Sequence, residues 1–388
     1  MENEQEHLDP QRQAEAREYA AIRRRWMVAE LALGVVYLAA WLGTGWSVAV
    51  RSWLQSALSS AWPGGETWWL VVLGQAVALG VPWSILTLPI SFHTGFRLPH
   101  RYGQSTQTLR DWMADGIKGL AVAGALGAPL LVGFFGLIQW APGTWWIWTT
   151  ALYTLVTAVM AALAPVVILP LFYHQTPLEA EHADLRRRLI ELAGRVGAEV
   201  EGVYRIDMSR RTRAANAALT GLGRTRRILL GDTLLESFSG DEIETVLAHE
   251  LGHHVHHDIP YSLAVDTALN ALGFLIVFGG VNLGVAWFGL AGAADPAALP
   301  WIGILLGAFG LITMPLSNAY SRWRESLADD FSLAVTAKPA AFASAMTRLA
   351  NQNLAEAEPS RWVVFLLYSH PPLQARIDKA RGLTTPST

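Results

Sequence analysis

The chain contains no cysteine among its 388 residues, so it can form neither a disulfide bond nor a thiolate metal site. It is also poor in charge, because Asp, Glu, Lys and Arg make up only 16% of the residues and the net charge is −3. A near-neutral chain lacks the basic surface that nucleic-acid binding requires, which argues against nucleic acid as a partner. Any metal ion must be held by histidine and carboxylate side chains.

Hydrophobic residues, by contrast, make up 52% of the chain, and tryptophan occurs 17 times. Tryptophan is typical of side chains that anchor spans at the membrane–water interface. Six stretches are long, apolar and almost free of charge, as a membrane-spanning helix requires. They are 31–50, 68–92, 119–141, 145–172, 262–290 and 299–320. The sequence therefore predicts a mainly α, polytopic membrane protein of about six spans, in contact with membrane lipids.

Most basic residues of the amino-terminal tail and of the loops that connect the spans fall on one side of the membrane. They are Arg12, Arg17, Arg23, Arg24 and Arg25 in the tail, and Arg97, Arg101, Arg110 and Lys118 after the second span. Cytoplasmic connections are enriched in such residues, so both termini and the non-membrane regions are expected in the cytoplasm. The absence of organellar signals and the Arg- and Ala-rich composition favour a bacterial plasma (inner) membrane.

The predicted spans divide the chain into five regions. They are a cytosolic tail at 1–25 that is partly disordered or an amphipathic helix at the membrane, a four-span bundle at 26–173, the first non-membrane part at 174–261, a two-span hairpin at 262–320 and the second non-membrane part at 321–388. Within the two non-membrane parts, the patterns predict strands at 203–206 and 227–230 and helices at 178–197 and 338–352.

The sequence His249-Glu250-Leu251-Gly252-His253 predicts a metal site. Histidines four residues apart lie on one face of a helix and can bind one Zn²⁺, while the glutamate between them can act as general base. Ser239 and Glu242 have the spacing of a capping box at the start of this helix. The alternative is a helix with two surface histidines, since the motif by itself supplies no third ligand.

Residues 325–329 follow the sixth predicted span and offer that ligand. Glu325 is the natural candidate, and Asp329 lies one helical turn later, where it can accept a hydrogen bond from the second nitrogen of a ligand histidine. The same two residues could instead form the solvated acidic face of a helix. The residues alone leave both interpretations open.

The order of these motifs resembles that of the membrane-integrated zinc metalloproteases of the CAAX prenyl protease type 1 family, and more loosely that of heat-shock membrane proteases. The matching stretches are Pro170-Leu171-Phe172, Thr176-Pro177-Leu178, Asp207 to Gly221, Arg227 to Leu235, His249 to His253, Ser321 to Asp329, and Ser369 to Leu373 with Arg376-Ile377. The resemblance implies a zincin-like (gluzincin) α+β catalytic domain that is split by the last membrane hairpin.

Carried over residue by residue, the resemblance implies that His249, His253 and Glu325 bind one Zn²⁺ per chain. Glu250 would be the general base and proton shuttle. Asp329 matches an aspartate of the family that is sometimes described as a proton donor. We favour a hydrogen bond from a ligand histidine to Asp329, because an aspartate in that position should stay ionised.

The resemblance also implies residues that handle the substrate. Asn216 and Ala217 would lie on an edge strand that pairs with the substrate backbone. His370 would donate a hydrogen bond to the oxyanion, with Arg376 supporting it.

We therefore expect a membrane zinc endopeptidase that acts on CAAX-type, prenylated or membrane-associated proteins. The alternative is a zinc-binding membrane scaffold or quality-control chaperone without proteolytic activity, which is disfavoured because Glu250 is present. A transporter or channel would need several polar residues at mid-span, and the first four predicted spans have almost none.

Overall fold

The computed structural model describes residues 7–221 and 226–384, and most of these residues are helical. The helices are α1 (Pro10–Gly43), α2 (Trp46–Ala61), α3 (Trp68–Phe92), α4 (Leu98–Arg101), α5 (Leu109–Trp140), α6 (Trp145–Leu163), α7 (Leu169–Phe172), α8 (Ala183–Arg195), α9 (Asp232–Ser237), α10 (Gly240–Val255), α11 (Asp258–Phe288), α12 (Leu299–Thr336), α13 (Pro339–Gln352), α14 (Arg361–Leu367) and α15 (Leu373–Gly382). The strands are β1 (Gln175–Pro177), β2 (Gly202–Ile206), β3 (Ala217–Thr220) and β4 (Arg227–Gly231).

Six helical segments within the described residues are long and apolar enough to cross a membrane, which confirms the expected number of spans. They are Pro10–Gly43, Trp68–Arg101, Leu109–Trp140, Trp145–Phe172, Asp258–Phe288 and Pro296–Thr336. The second joins α3 to α4 through a π-helical turn, and the fourth joins α6 to α7 in the same way. A short turn at 141–144 connects the third and fourth segments, as the sequence predicts.

The first span ends earlier than the sequence predicts. α1 stops at Gly43 rather than at residue 50, and α2 begins at Trp46 after Gly45, which has a φ of 76°. A left-handed backbone costs glycine little, so the helix breaks there and the following apolar residues form a second helix. Hydropathy does not reveal this break, because the residues on both sides of it are apolar.

The predicted tail is helical from Pro10 onward and is continuous with the first span. Asp9 caps this helix, since its side chain accepts hydrogen bonds from the backbone N–H groups of Gln11 and Arg12. Of the two predicted alternatives, the structure therefore has the helix in this part of the tail. Residues 1–6 of the predicted tail lie outside the described residues.

The non-membrane part contains one small mixed sheet with the strand order β1-β2-β4-β3. β2 and β4 are parallel and correspond to the two predicted strands, while β1 and β3 pair antiparallel with them. The predicted helix at 178–197 is shorter in the structure, because a 3₁₀ turn at Ala180–His182 precedes α8. Leu189, Leu192 and Ile228 are fully buried in the core that this sheet shares with α8 and α10.

The last span continues without a break into the beginning of the second non-membrane part. α12 runs from Leu299 to Thr336 without a break at the predicted boundary of 320/321. α11 likewise begins at Asp258, four residues before the predicted start of its span. Both helices therefore carry residues directly from the membrane region into the core around α10.

Candidate metal centre

Three side chains from two helices converge at one point. His249 and His253 belong to α10, and Glu325 belongs to α12. The two Nε2 atoms are 3.2 Å apart, and Glu325 oxygens lie 3.2 Å from Nε2 of His249 and 3.5 Å from Nε2 of His253. Tetrahedral coordination with Zn–N bonds of about 2.0–2.1 Å separates two ligand atoms by about 3.3 Å. The two imidazole nitrogens have this spacing, and Glu325 brings one carboxylate oxygen close to each of them, so the three side chains can share one metal ion.

The donor set also fits a metal ion in its chemistry. Glu325 is buried, and among the described residues its Oε2 has no hydrogen-bond donor although it points at the imidazole of His249. An unpaired buried carboxylate oxygen is costly, and a bound cation would remove that cost. Two imidazoles and one carboxylate leave a fourth tetrahedral position for a water molecule or a substrate.

Local sequence explains why the two helices approach closely. The α10 capping box is present, because Ser239 Oγ accepts from the Glu242 N–H and the Glu242 carboxylate accepts from the Ser239 N–H. On the buried face of α10, Gly252 faces α12, and a Cβ at that position would lie 2.9 Å from Cα of Ala328. Glycine at 252 therefore allows the backbone contact that brings Glu325 to the histidines.

His249 is held from behind by Asp329 and Arg376. Its Nδ1 lies 2.9 Å from Asp329 Oδ1, and Arg376 donates to both carboxylate oxygens over 2.6 and 2.8 Å. With Asp329 accepting the Nδ1 proton, the Nε2 lone pair is directed at the metal position. The contact expected between Asp329 and a ligand histidine is thus present.

His253 has an equivalent partner that sequence reasoning missed. Its Nδ1 lies 2.7 Å from Oδ2 of Asp258, and the other oxygen of Asp258 accepts from Arg324. The Arg324 guanidinium also donates to the carbonyl of His256 over 2.6 Å. Each ligand histidine therefore has its own carboxylate and arginine.

The connection between α10 and α11 creates the second of these pairs. α10 ends at Val255, and His257 takes a left-handed conformation with a φ of 54°. This turn returns the chain, so that the first residue of α11 lies beside His253. Asp258 is only five residues beyond the motif, and this short spacing is the signal that sequence reasoning could have used.

Glu250 lies between the two histidines on α10 and interacts electrostatically with both of them and with Glu325. Burial raises the pKa of Glu250 above the ordinary glutamate value. A carboxylate with a raised pKa is a stronger base, which suits a group that must take a proton from water.

Burial also lowers the pKa of His249, but the nearby carboxylates of Asp329 and Glu325 favour the protonated imidazole, outweigh burial and raise that pKa to about 9. A metal ion requires the unprotonated Nε2. Protons and metal ions therefore compete for this site.

His370 is another predicted site residue that reaches the centre. Its Nε2 lies 3.3 Å from Glu325 Oε1, and its Nδ1 is 2.9 Å from the hydroxyl of Ser369. The His370 side chain remains 58% exposed, so its Nε2 is available to a substrate. The preceding segment is anchored on α12, because Arg322 donates to the carbonyl of Tyr368 over 2.6 Å.

Arg376 is placed differently from the expectation that it supports His370. It is buried, and its contacts are with Asp329 and, at 3.4 Å, with Nδ1 of His249. The structure therefore brings Arg376 to the centre but behind a ligand histidine.

Ala217 is the first residue of β3 and Asn216 directly precedes it, and β3 packs against α10. Within the described residues, β3 pairs only with β4, so its other edge is free. Asn216 is exposed, and its carbonyl accepts from the N–H of Gly231 over 2.9 Å. A free edge beside the metal-binding helix can accept an extended peptide as an additional strand.

Two family models cover nearly the whole chain. Residues 179–384 match peptidase family M48, and residues 2–174 match the model described as CAAX prenyl protease N-terminal, five membrane helices. Within the second range, α1, α2, α3, α5 and α6 are the five described helices of 16 residues or more. α2 is the one among them that the sequence did not predict.

Individual relatives agree with these matches. The "Uncharacterized metalloprotease YhfN" of Bacillus subtilis is 28% identical over 87% of this chain and 78% of its own length. The CAAX prenyl protease 1 of Saccharomyces cerevisiae is 30% identical over 76% of this chain and 68% of its own length. The crystal structure of S. mikatae Ste24p superposes with a TM-score of 0.83 and 25% identity, covering 96% of this chain and 90% of that chain.

Proposed function

Because the chain belongs to peptidase family M48, it is a membrane metalloprotease, and we propose that it cleaves CAAX-type or other membrane-associated proteins at a single Zn²⁺ site. The observation that carries this proposal is the convergence of Glu325 with His249 and His253, whose Nε2 atoms lie 3.2 Å apart and each within 3.5 Å of a Glu325 oxygen. The CAAX prenyl protease relatives supply the substrate class, which for this chain is part of the proposal.

His249, His253 and Glu325 would hold the metal ion, with Asp329 and Asp258 fixing the imidazoles. When bound, Zn²⁺ makes water more acidic and polarises a peptide carbonyl. Glu250 then takes the proton of the attacking water and delivers it to the leaving amine. His370 donates a hydrogen bond to the oxygen on which negative charge develops.

The substrate would reach this centre as an extended segment. Pairing with the free edge of β3 at Asn216 and Ala217 aligns its backbone, since strand addition satisfies main-chain hydrogen bonds. Arg376 would act on the substrate only through Asp329 and His249. The substrate is expected from the membrane side, because α11 and α12 enter the site directly from their spans.

The distribution of basic residues supports a cytoplasmic site in a bacterial plasma membrane. In this arrangement, 174–261 and 321–388 form the catalytic unit, 26–173 and 262–320 anchor it, and 1–25 is cytosolic. A non-proteolytic scaffold is the second candidate, and the presence of Glu250 between the ligands speaks against it.

The direct test compares the purified protein with its Glu250→Gln variant. The two are incubated with a quenched peptide substrate, with and without a chelator, while metal content is measured by mass spectrometry. We expect one zinc per chain in both proteins and peptide cleavage only by the zinc-loaded wild type. Cleavage that survives both the substitution and the chelator would overturn the proposed mechanism. Bound zinc without turnover of any peptide would favour the scaffold.

A further inference from the structure

A cavity of about 770 Å³ opens beside the metal centre. His370 and Arg376 line it on the catalytic side, and Arg23 and Met27 of α1 line it on the tail side. Peptide-sized and drug-sized ligands typically occupy pockets of about 300–1,000 Å³. The cavity therefore has the size of a substrate subsite, and the tail supplies one of its walls.

The tail is firmly attached at this wall. Gln13 is buried, donates to the carbonyl of Ala355 over 3.2 Å and accepts from the N–H of Ala357 over 3.0 Å. One turn later, Ala16 is completely buried. Near the cavity, Arg24 forms an ion pair of 2.7 Å with Glu356. These contacts give the tail a defined position relative to His370.

One cation of the cavity lining has no anionic partner within the described part of the chain. Arg24 is neutralised by Glu356 and Arg376 by Asp329. Arg23, by contrast, is exposed, and among the described residues no carboxylate oxygen lies within 4.0 Å of its guanidinium. It rests 5.7 Å from the ring centroid of Tyr19, a contact that leaves the N–H groups free to bind an anion.

The remaining lining is largely apolar. Leu349, Leu354, Leu367 and Leu373 face the cavity together with Met27. An aliphatic peptide that ends in a carboxylate combines the two properties that this lining would recognise. A CAAX-type carboxyl terminus is such a peptide, with aliphatic residues and a free terminal carboxylate after the modified cysteine. Three extended residues span about 10 Å, a length suited to a cavity of this volume.

We propose that this cavity binds the aliphatic carboxyl-terminal residues of the substrate and that Arg23 of the tail helix pairs with the terminal carboxylate. The inference rests on the proposed proteolytic function and adds a specificity residue to it. Arg23 acts as a positioning residue, because it holds the end of the substrate rather than the reacting bond. The tail thus defines how far from the carboxyl terminus the chain is cut.

The test uses two quenched peptides of the same sequence, one with a free carboxyl terminus and one with a carboxamide. Wild type, Arg23→Gln, Arg23→Lys and Arg25→Gln are assayed as full-length protein in neutral detergent. Arg25 is the matched control, because it is also exposed on α1 but does not line the cavity. A lost charge-assisted hydrogen bond corresponds to about a tenfold change in affinity.

We expect wild type and Arg25→Gln to show a KM about tenfold lower for the acid than for the amide, with similar kcat. Arg23→Gln should raise KM for the acid alone and abolish the preference, and Arg23→Lys should restore part of it. An equal KM for both peptides in wild type, or a preference that persists in Arg23→Gln, would overturn the proposal.

Two further arms distinguish a substrate contact of Arg23 from a lipid contact. If Arg23→Gln weakens cleavage of both peptides equally, and only in bicelles that contain anionic lipid, Arg23 contacts a lipid headgroup and the proposal is wrong. Binding of fluorescent acid and amide peptides to the Glu250→Gln variant reports on the subsite without turnover. A binding preference for the acid that needs Arg23 would support the subsite even if proteolysis failed.

Discussion

At the scale of single residues, the two candidate ligand histidines have matching supports. Asp329 with Arg376 fixes the ring of His249, and Asp258 with Arg324 fixes that of His253. The first aspartate could be predicted, because it lies one turn from Glu325 in the sequence. The second could not be predicted with the same ease, because its contact depends on how the chain turns between α10 and α11.

Asp258→Asn is expected to weaken metal binding by about 10- to 100-fold, as is typical for loss of a carboxylate behind a ligand histidine. The asparagine keeps the shape but not the charge that fixes the tautomer of His253. Titration with a chelator of known affinity would measure the change. Asp330→Asn is the control, since Asp330 is exposed and its ion pair, at 2.6 Å, is with Lys379. Unchanged metal affinity in Asp258→Asn would contradict the assigned role.

The apparent affinity for the metal should also depend on pH. The pKa of His249 is raised to about 9, so below that pH the metal-free site holds a proton that the ion must displace. Affinity should therefore fall by about tenfold per pH unit as pH is lowered from about 9. The same proton stabilises the metal-free fold below about pH 6.5, and this contribution is lost as pH rises through about 9. Chelator competition between about pH 7 and 9 would measure the metal affinity, and an affinity that does not change with pH would contradict the expected competition between proton and metal ion.

At the scale of helices and strands, the site depends on the contact between α10 and α12. Gly252 permits that contact, and the unbroken α12 carries Glu325 from the last span to the histidines. The capping box and the strands at 203–206 and 227–230 follow local patterns and were predicted correctly. β3 was not predicted by pattern, because a strand of four residues is too short to show a clear apolar periodicity. The break at Gly45 was not predicted either, because the residues on both sides of it are apolar.

Gly252→Ala should destabilise the protein by about 1–3 kcal/mol, because the added Cβ meets Cα of Ala328 at 2.9 Å and forces the helices apart. The displacement should also weaken metal binding, since Glu325 lies one turn from Ala328. Gly194→Ala is the control, because Gly194 lies on α8 and no described atom comes within 4 Å of the added Cβ. Thermal unfolding in detergent would measure the stability of both variants. Equal unfolding midpoints for Gly252→Ala and Gly194→Ala would refute the close-contact argument.

At the scale of the whole molecule, the tail ties the first span to the catalytic part. Gln13, Ala16 and Arg24 belong to the tail, and Gln13 and Arg24 contact the segment at 355–357, more than 300 residues away in the chain. The membrane spans are therefore connected to the non-membrane part through α1 as well as through α11 and α12.

Gln13→Ala should loosen the tail, because one part-buried and one buried hydrogen bond are lost and backbone groups of Ala355 and Ala357 lose a partner, at a cost of about 1–3 kcal/mol. Limited proteolysis and hydrogen exchange of residues 10–25 would detect the loosening. Gln11→Ala is the control, because Gln11 is exposed and is held through its backbone N–H, which the substitution keeps. Equal protection in both variants would contradict the attachment of the tail.

The sequence by itself determined the membrane class, the six spans and the positions of His249, Glu250 and His253, because these depend on composition and on the helical repeat. A spacing of four residues places two imidazoles on one face in any α-helix. The tertiary structure alone decided that Asp258 supports His253, that Arg376 lies behind His249, and that the tail lines one side of the cavity. These contacts join segments that are distant in the chain or separated by a turn, and their geometry follows from packing rather than from local pattern.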